Sequence, residues 1–303
     1  MEIKESILDT IGRTPLVRLK RMGAPPGIDL LAKIEGFNPM GSVKERIALE
    51  IVDQAEREGN LRKGMTLLES SSGNTGIGLA MVGAARGYPV VVTMPWKASV
   101  ERRQILKALG AEVILTPPDG NSDTAWEMAD EMAKKEPAKY FRVAQYDSPH
   151  NAGAHYRHTA AEIWDQCDGR LDAFVATLGT TGTLVGAGRR LKELDPRIRI
   201  VAAEPQRGHT QMGLRNLDES RVPPIWDATI ADEKLVVEDV DAYRVARDLC
   251  RREGIFGGIS SGTAVHAALV VAARLGRGRV VTLLPDRGEK YLSTSLFPAE
   301  SPR

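Results

Sequence analysis

Residues 66–94 read TLLESSSGNTGIGLAMVGAARGYPVVVTM, and the succession of patterns in them decides the fold class. Thr66 to Glu69 is a short apolar run of strand length. The polar cluster 70–76 follows it, an apolar helical pattern runs from Ile77 to a stop at Gly87, and Pro89 to Met94 is a second β-rich run. A strand, a polar junction, a helix and another strand form a βαβ unit, which pairs its strands in parallel through a crossover helix. The same alternation extends both ways along the chain. Further strands are expected at Leu30 to Ile34, Glu112 to Thr116, Tyr140 to Ala144, Ala173 to Leu178, Ile198 to Ala203 and Arg279 to Leu284. Amphipathic helices are expected at Ala98 to Leu109 and Asp123 to Lys135, and Gly59, Gly110 and Gly276 end other helical stretches.

The turn formers at 147–151 mark a candidate boundary, and 205–227, with two glycines and Pro223-Pro224 inside it, is long for a plain connection. Such segments often serve as lids or binding loops. With 41 basic and 40 acidic residues intermixed, the chain has no basic stripe, which argues against nucleic acid and anionic membrane as partners. Cys167 and Cys250 are far apart and belong to no CxxC pair, so a disulfide framework or zinc site is not expected and a reducing cytoplasm fits. The N-terminal stretch lacks a signal pattern, and no apolar run has membrane-spanning length.

Several junctions fall where an open parallel sheet binds ligands, at strand ends that feed helix N-termini. Ser70-Ser71-Ser72-Gly73-Asn74-Thr75-Gly76 offers hydroxyls, an amide and backbone N–H groups suited to a small carboxylate. Gly179-Thr180-Thr181-Gly182-Thr183 can cradle a phosphate without lysine or arginine, and is neither a Walker A loop nor a GxGxxG loop. Gly258-Ile259-Ser260-Ser261-Gly262 opens another helix, and Gln145 ends a strand. Each of these is also ordinary capping or turn chemistry when taken alone. The stretch Asn38-Pro39-Met40-Gly41-Ser42-Val43-Lys44-Glu45-Arg46 adds a reactive group. Ser42 and Glu45 read as a capping box, so Lys44 falls in the first helical turn, where the helix dipole lowers the pKa of an amine. A lysine of lowered pKa suits Schiff-base chemistry with a carbonyl cofactor, although a solvated surface lysine fits the same position.

Taken in order, NPMGSVKER, SSSGNTG, GTTGT, GISSG and DRGEKYLST, together with IGRTPL and MPWKASVERR, resemble the cysteine synthase family of fold-type II pyridoxal-phosphate enzymes. The match spans nearly the whole chain. It implies a two-domain fold, similar to the tryptophan synthase β chain, with mostly parallel twisted sheets in three-layer αβα domains. The implied smaller domain is 36–145, carrying Lys44 and Asn74, and the larger comprises 1–35 and 146–303 with the phosphate loop. The resemblance also implies pyridoxal 5′-phosphate as cofactor and a homodimer. Lys44 is then the Schiff-base lysine and catalytic base, Gly179, Thr180, Thr181, Gly182 and Thr183 the 5′-phosphate loop, Asn74 the partner of the ring 3′-oxygen and Ser260 that of the pyridine nitrogen. Ser71, Ser72, Asn74, Thr75 and Gln145 correspond to the substrate-carboxylate site. The implied reaction is β-replacement through an aminoacrylate, making L-cysteine from O-acetylserine or O-phosphoserine and sulfide or another sulfur donor.

Met40, Ser71, Thr263 and Pro285 depart from the usual family residues, while Asp286-Arg287-Gly288 is closer to the B-type enzymes. Arg215, in Gly213-Leu214-Arg215-Asn216, resembles the arginine loop of B-type and O-phosphoserine-using relatives and is suited to an anionic leaving group or sulfur donor. Cystathionine β-synthase and serine/threonine dehydratase activities keep the same cofactor residues, and an inactive homologue serving as a binding partner is an alternative of another class. His155 and His158 read as core or surface histidines rather than metal ligands, Arg102 and Arg103 as an exposed helix face, and the four tryptophans as packing residues.

Overall fold

The computed structural model describes residues 3–297. Its strands are β1 (Leu16–Arg18), β2 (Ile28–Ile34), β3 (Thr66–Ser70), β4 (Val90–Met94), β5 (Glu112–Leu115), β6 (Tyr140–Arg142), β7 (Ala173–Thr177), β8 (Arg199–Pro205), β9 (Glu233–Val237) and β10 (Gly278–Leu284). The helices are α1 (Lys44–Arg57), α2 (Asn74–Arg86), α3 (Val100–Ala108), α4 (Ser122–Lys135), α5 (Pro149–Ala154), α6 (Ala160–Gln166), α7 (Gly182–Leu194), α8 (Asp239–Asp248) and α9 (Ile259–Leu275). One sheet runs β1-β2-β10-β7-β8-β9 and the other β5-β4-β3-β6. All pairs are parallel except β1 with β2. Every expected strand is present, and the two that sequence reading missed, β1 and β9, are the edges of the larger sheet. An edge strand needs only one apolar face. In β9 that face is short, and Val236 points outward with 57% of its surface exposed.

Alternate residues of the larger sheet enter two different cores. Val175, Val201 and Val280 pack with α8 and α9 on one face, while Phe174, Ile200 and Val281 pack with α6 and α7 on the other. In the smaller sheet, Leu67 and Val92 face a core with α1 and α2, whereas Leu68 and Val91 face Ala129 of α4. This is the three-layer arrangement, and it directs the carboxyl ends of β3, β7 and β10 to the place where their junctions meet.

The start of α1 is fixed by buried ions rather than by a simple cap. The Arg46 guanidinium donates to both carboxylate oxygens of Glu35, at 2.6 and 2.9 Å, and to both of Glu162, at 2.7 and 2.8 Å. Lys33, fully buried on β2, reaches Glu162 at 2.7 Å and the Thr14 carbonyl at 2.6 Å. Burial opposes ionisation of Glu162, yet Arg46 and Lys33 together bring its pKa down to about 2. The capping box anticipated at Ser42 forms in one direction only. Glu45 accepts from the Ser42 N–H at 2.7 Å, but the Ser42 hydroxyl receives the Lys44 N–H at 3.3 Å instead of the N–H of Glu45.

Replacing Arg46 by methionine leaves Glu35, with none of its surface exposed, as an uncompensated buried charge. Arg46→Met is expected to lower the unfolding free energy by about 3–5 kcal/mol, read from chemical-denaturation midpoints. A loss below about 1 kcal/mol, the scale of an exposed ion pair, contradicts the buried-network account.

Candidate functional site

The junctions after β3, β6, β7 and β10 and the first turns of α1, α2, α7 and α9 line one cavity. Lys44, Ser71, Ser72, Asn74, Thr75 and Gln145 line one side of it, and Gly179, Thr180, Thr181, Thr183 and Ser260 the other. Gly182 is the first residue of α7 beside them. The residues singled out in sequence are therefore gathered in space, apart from Arg215, which lines an adjoining hollow that shares Ser72, Arg102, Tyr146 and Gly213 with the cavity.

Lys44 is the first residue of α1 and half-buried. Burial pushes its amine down to a pKa of about 8, against the opposing pull of Asp286 and Glu35. The lowered value expected from the helix dipole is thus present, with desolvation as its main cause. Its segment is held against the larger sheet, because the Val43 N–H donates to the Pro285 carbonyl at 2.8 Å and Ser42 bridges to Asp286.

The threonine-rich turn after β7 is strained and only partly satisfied. Thr181 adopts φ +68°, a left-handed conformation unfavourable for a β-branched residue, and its buried Oγ1 has no hydrogen-bond partner within the protein. Thr180 Oγ1 accepts from Asn151 Nδ2 at 3.0 Å, and Thr183 Oγ1 lies 3.2 Å from His155 Nε2. A Cβ on Gly179 would come within 2.7 Å of the Gly213 carbonyl, and one on Gly182 would collide with the Asn151 side chain. Backbone N–H groups at the start of α7, a spare hydroxyl and close glycine packing make a cradle for a compact anion.

The β3 side divides into caps and free groups. Ser71 Oγ accepts from the N–H groups of Gly73 and Gly76, at 3.0 and 3.1 Å, which is capping work. Gln145 is buried and already engaged, donating to the Ser70 carbonyl at 2.8 Å and accepting from Thr75 Oγ1 at 2.6 Å. It braces Thr75 more than it projects into the cavity. Asn74 donates through Nδ2 to Asp286 Oδ2 at 2.7 Å and accepts at Oδ1 from Lys290 at 2.9 Å. Tyr291 Oη also donates to Asp286 Oδ2, at 2.8 Å.

The sequence expectations for Arg102 and Trp96 are corrected here, while those for Trp126 and His155 hold. Arg102 is not on an exposed face: only 2% of its surface is accessible, its guanidinium sits 4.7 Å from the Tyr291 ring centroid, and its Nε has no partner. Gly73 permits this, since any Cβ there would strike the Arg102 chain. Trp96 is 47% exposed rather than packed, whereas Trp126 is buried and stacked on Tyr146 at 4.5 Å. Arg215 is buried between that aromatic pair and Asp123, with Nη1 3.1 Å from the carboxylate and Nη2 unpartnered. His155 is a core histidine whose pKa is pushed well down by burial and by the charges of Lys44 and Arg46, which leaves it neutral beside Thr183. Asp286, Lys290 and Tyr291 were not singled out individually, although the motif DRGEKYLST contains all three.

Comparison with known proteins follows the same outline. Residues 7–286 match the family described as "Pyridoxal-phosphate dependent enzyme". The chain is 44% identical over 302 residues to "Cysteine synthase" of Aquifex aeolicus (strain VF5), covering 97% of this chain and 92% of that protein. It is 43% identical over 291 residues to "Cysteine synthase B" of Escherichia coli (strain K12), covering 96% and 95%. Among solved structures, that of O-ureido-L-serine synthase superposes with a TM-score of 0.93 at 43% identity, covering 99% of this chain and 97% of the other.

Reductive methylation with formaldehyde requires the neutral amine, so its pH dependence reports the Lys44 pKa directly. In the apoprotein, labelling of Lys44 followed by peptide mass analysis is expected to rise with pH and reach half its maximal rate near pH 8. A midpoint near the ordinary lysine value of about 10.4 contradicts the desolvated setting.

Proposed function

Because the chain belongs to the pyridoxal-phosphate dependent enzymes, we propose that it makes L-cysteine by β-replacement, from an O-activated serine and sulfide or another sulfur donor. The observation that carries this reading is the gathering of the Lys44 amine, the Asn74 amide, the Ser260 hydroxyl and the 179–183 cradle around one cavity. The residues fit the cofactor: the unpartnered Thr181 hydroxyl and the glycine-lined turn suit its phosphate, and the desolvated amine suits its aldehyde. When bound, pyridoxal 5′-phosphate supplies a carbonyl for covalent attachment and a conjugated ring that accepts electron density from the substrate Cα.

In this reading Lys44 holds the cofactor at rest, then acts on the substrate as general base, taking the Cα proton with a pKa matched to neutral or mildly alkaline conditions and later returning it. Ser260, at the first turn of α9, meets the ring nitrogen with a hydroxyl, which does not hold a proton there as a carboxylate does. With Ser260 there in place of a carboxylate, the bound group would be a weaker electron sink, which suits β-replacement more than transamination. Ser72 and the first-turn N–H groups of α2, steadied by Gln145 through Thr75, receive the substrate carboxylate, with Ser71 as their cap. Arg215 Nη2, buried and unpartnered one hollow away, is placed to favour an anionic group, which argues for O-phosphoserine among the accepted donors.

In the same proposal 36–145 forms the smaller domain, 1–35 with 146–303 forms the larger, and the protein works as a cytoplasmic homodimer. The two sheets divide along those lines, and both cysteines are free thiols, as a reducing compartment allows. Among the described residues no helix is long and apolar enough to cross a membrane.

Two measurements test the reading. With cofactor and sulfide, the protein is expected to release cysteine from O-acetylserine or O-phosphoserine, and Lys44→Ala to lose at least about a hundredfold in rate. Arg215→Ala is expected to depress turnover of O-phosphoserine more than that of O-acetylserine. No cysteine from either donor overturns the assignment, and equal effects on both donors overturn the role of Arg215. Separately, Thr181→Val keeps side-chain shape and branching but removes the hydroxyl. Cofactor affinity is expected to fall about tenfold or more, as for a lost hydrogen bond to a charged group, while the apoprotein gains slightly in thermal midpoint because an unsatisfied buried hydroxyl has gone. Unchanged affinity, measured by fluorescence titration, contradicts the cradle.

A further inference from the structure

Lys290 lies on the single turn at 288–291 and is almost entirely buried, with 1% of its surface exposed. Its ammonium donates to Asn74 Oδ1 at 2.9 Å and more weakly to the Gly41 carbonyl at 3.4 Å. Burial pushes its pKa down, while Asp286 and Glu45 pull it back up. Burying a lysine in this way is costly unless it performs a task that a smaller apolar side chain cannot. The task is visible in the donor and acceptor inventory. An ammonium carries donors only, so the atom of the Asn74 amide that faces it must be the oxygen. The amide NH2 is thereby turned the other way, toward Asp286 Oδ2 and the cavity that Asn74 lines. Asp286, which only accepts, favours the same orientation from the other side, so without Lys290 the Asn74 oxygen loses its donor and one of the two constraints on the amide is gone.

We propose that Lys290 is a positioning residue that, together with Asp286, fixes the polarity of the Asn74 amide, so that the cofactor's ring 3′-oxygen meets a hydrogen-bond donor instead of an acceptor. The inference rests on the assignment of Asn74 made above. Lys290 touches neither substrate nor cofactor in this account and acts through Asn74. Its second contact, to Gly41, joins the same turn to the loop that precedes Lys44, so one side chain touches both that loop and the first turn of α2. A donor at the 3′-oxygen favours the ionised form of that oxygen, which the absorbance of the bound cofactor reports without any turnover.

The test compares, at one pH and with the cofactor saturating, the ratio of visible to near-ultraviolet absorbance in wild type, Asn74→Ala, Lys290→Met, Lys290→Arg and the Asn74→Ala/Lys290→Met double variant. Asn74→Ala is expected to lower the ratio roughly two- to tenfold, the scale of one hydrogen bond. Lys290→Met is expected to lower it in the same direction, Lys290→Arg, again donors only, to restore it, and the double variant to match Asn74→Ala alone. A Lys290→Met protein with the wild-type ratio overturns the proposal, as does an effect of that substitution that persists in full on the Asn74→Ala background. If Asn74→Ala itself leaves the ratio unchanged, the assignment of Asn74 fails instead. Should Lys290→Met not fold, Lys290→Leu, which likewise carries no donor, takes its place in the same comparison with the same expected result.

Discussion

The paired carboxylates of Glu35 and Glu162 on either side of Arg46 are the constraint on which the rest of the molecule depends. Three segments distant in sequence, the end of β2, the first turn of α1 and the middle of α6, are brought to one guanidinium. A buried ion network is weak evidence of net stability, since desolvation consumes most of the Coulombic gain. What it supplies here is geometry. Arg46 follows Lys44 by two positions, so the ion pairs that fix the helix start also fix the reactive amine. Asn38 extends the clamp by donating to the Glu35 carboxylate and to the Ser42 carbonyl, at 2.8 and 2.9 Å, which closes the loop ahead of the lysine.

Around this frame the cavity collects more positive than negative side chains. Lys44 and Arg102 line it, Asp286 and Lys290 lie behind it on Asn74, and burial raises Glu45, outside the lining, to a pKa of about 7. A site of that sign is suited to an anionic cofactor and to a substrate carboxylate, which in the proposed reading meet backbone N–H groups and hydroxyls instead of dedicated ion pairs. The consequence for Lys44 is a lowered pKa: it is partly desolvated, and Asp286, the carboxylate that opposes this most, is already shared with Asn74 and Tyr291.

The binding turn carries its own cost. A left-handed threonine, an orphaned hydroxyl and two glycines that admit no Cβ are local liabilities that the surrounding structure must hold in place. The bracing is visible in the bond from the Arg215 N–H to the Leu178 carbonyl at 2.8 Å, which ties the long 206–232 segment to the base of the turn. That segment, read from sequence over 205–227 as a binding-type loop carrying Arg215, therefore buttresses the cradle on one side and lines the adjoining hollow on the other.

The alternation of strands and helices was legible in the residues because periodicity is a local property, and each central strand announced itself by being apolar on both faces. The edges β1 and β9 were not, because β1 is only Leu16–Arg18 and β9 opens on the charged pair Glu233-Lys234, which breaks the apolar pattern. The sequence pattern places the polar cluster 70–76 ahead of a helix beginning at Ile77, yet residues 74–76 are already its first turn, where Asn, Thr and Gly look alike whether they cap, coil or bind. Sequence alone also determined that Lys44 heads a helix and that the 179–183 turn has the composition of an anion cradle. Only the tertiary structure decided that desolvation sets the lysine's basicity, that Arg102 is buried, and that Lys290 meets Asn74 across 216 positions of chain. Burial and long-range polar contacts are properties of the packed chain, and no local spacing of residues encodes them.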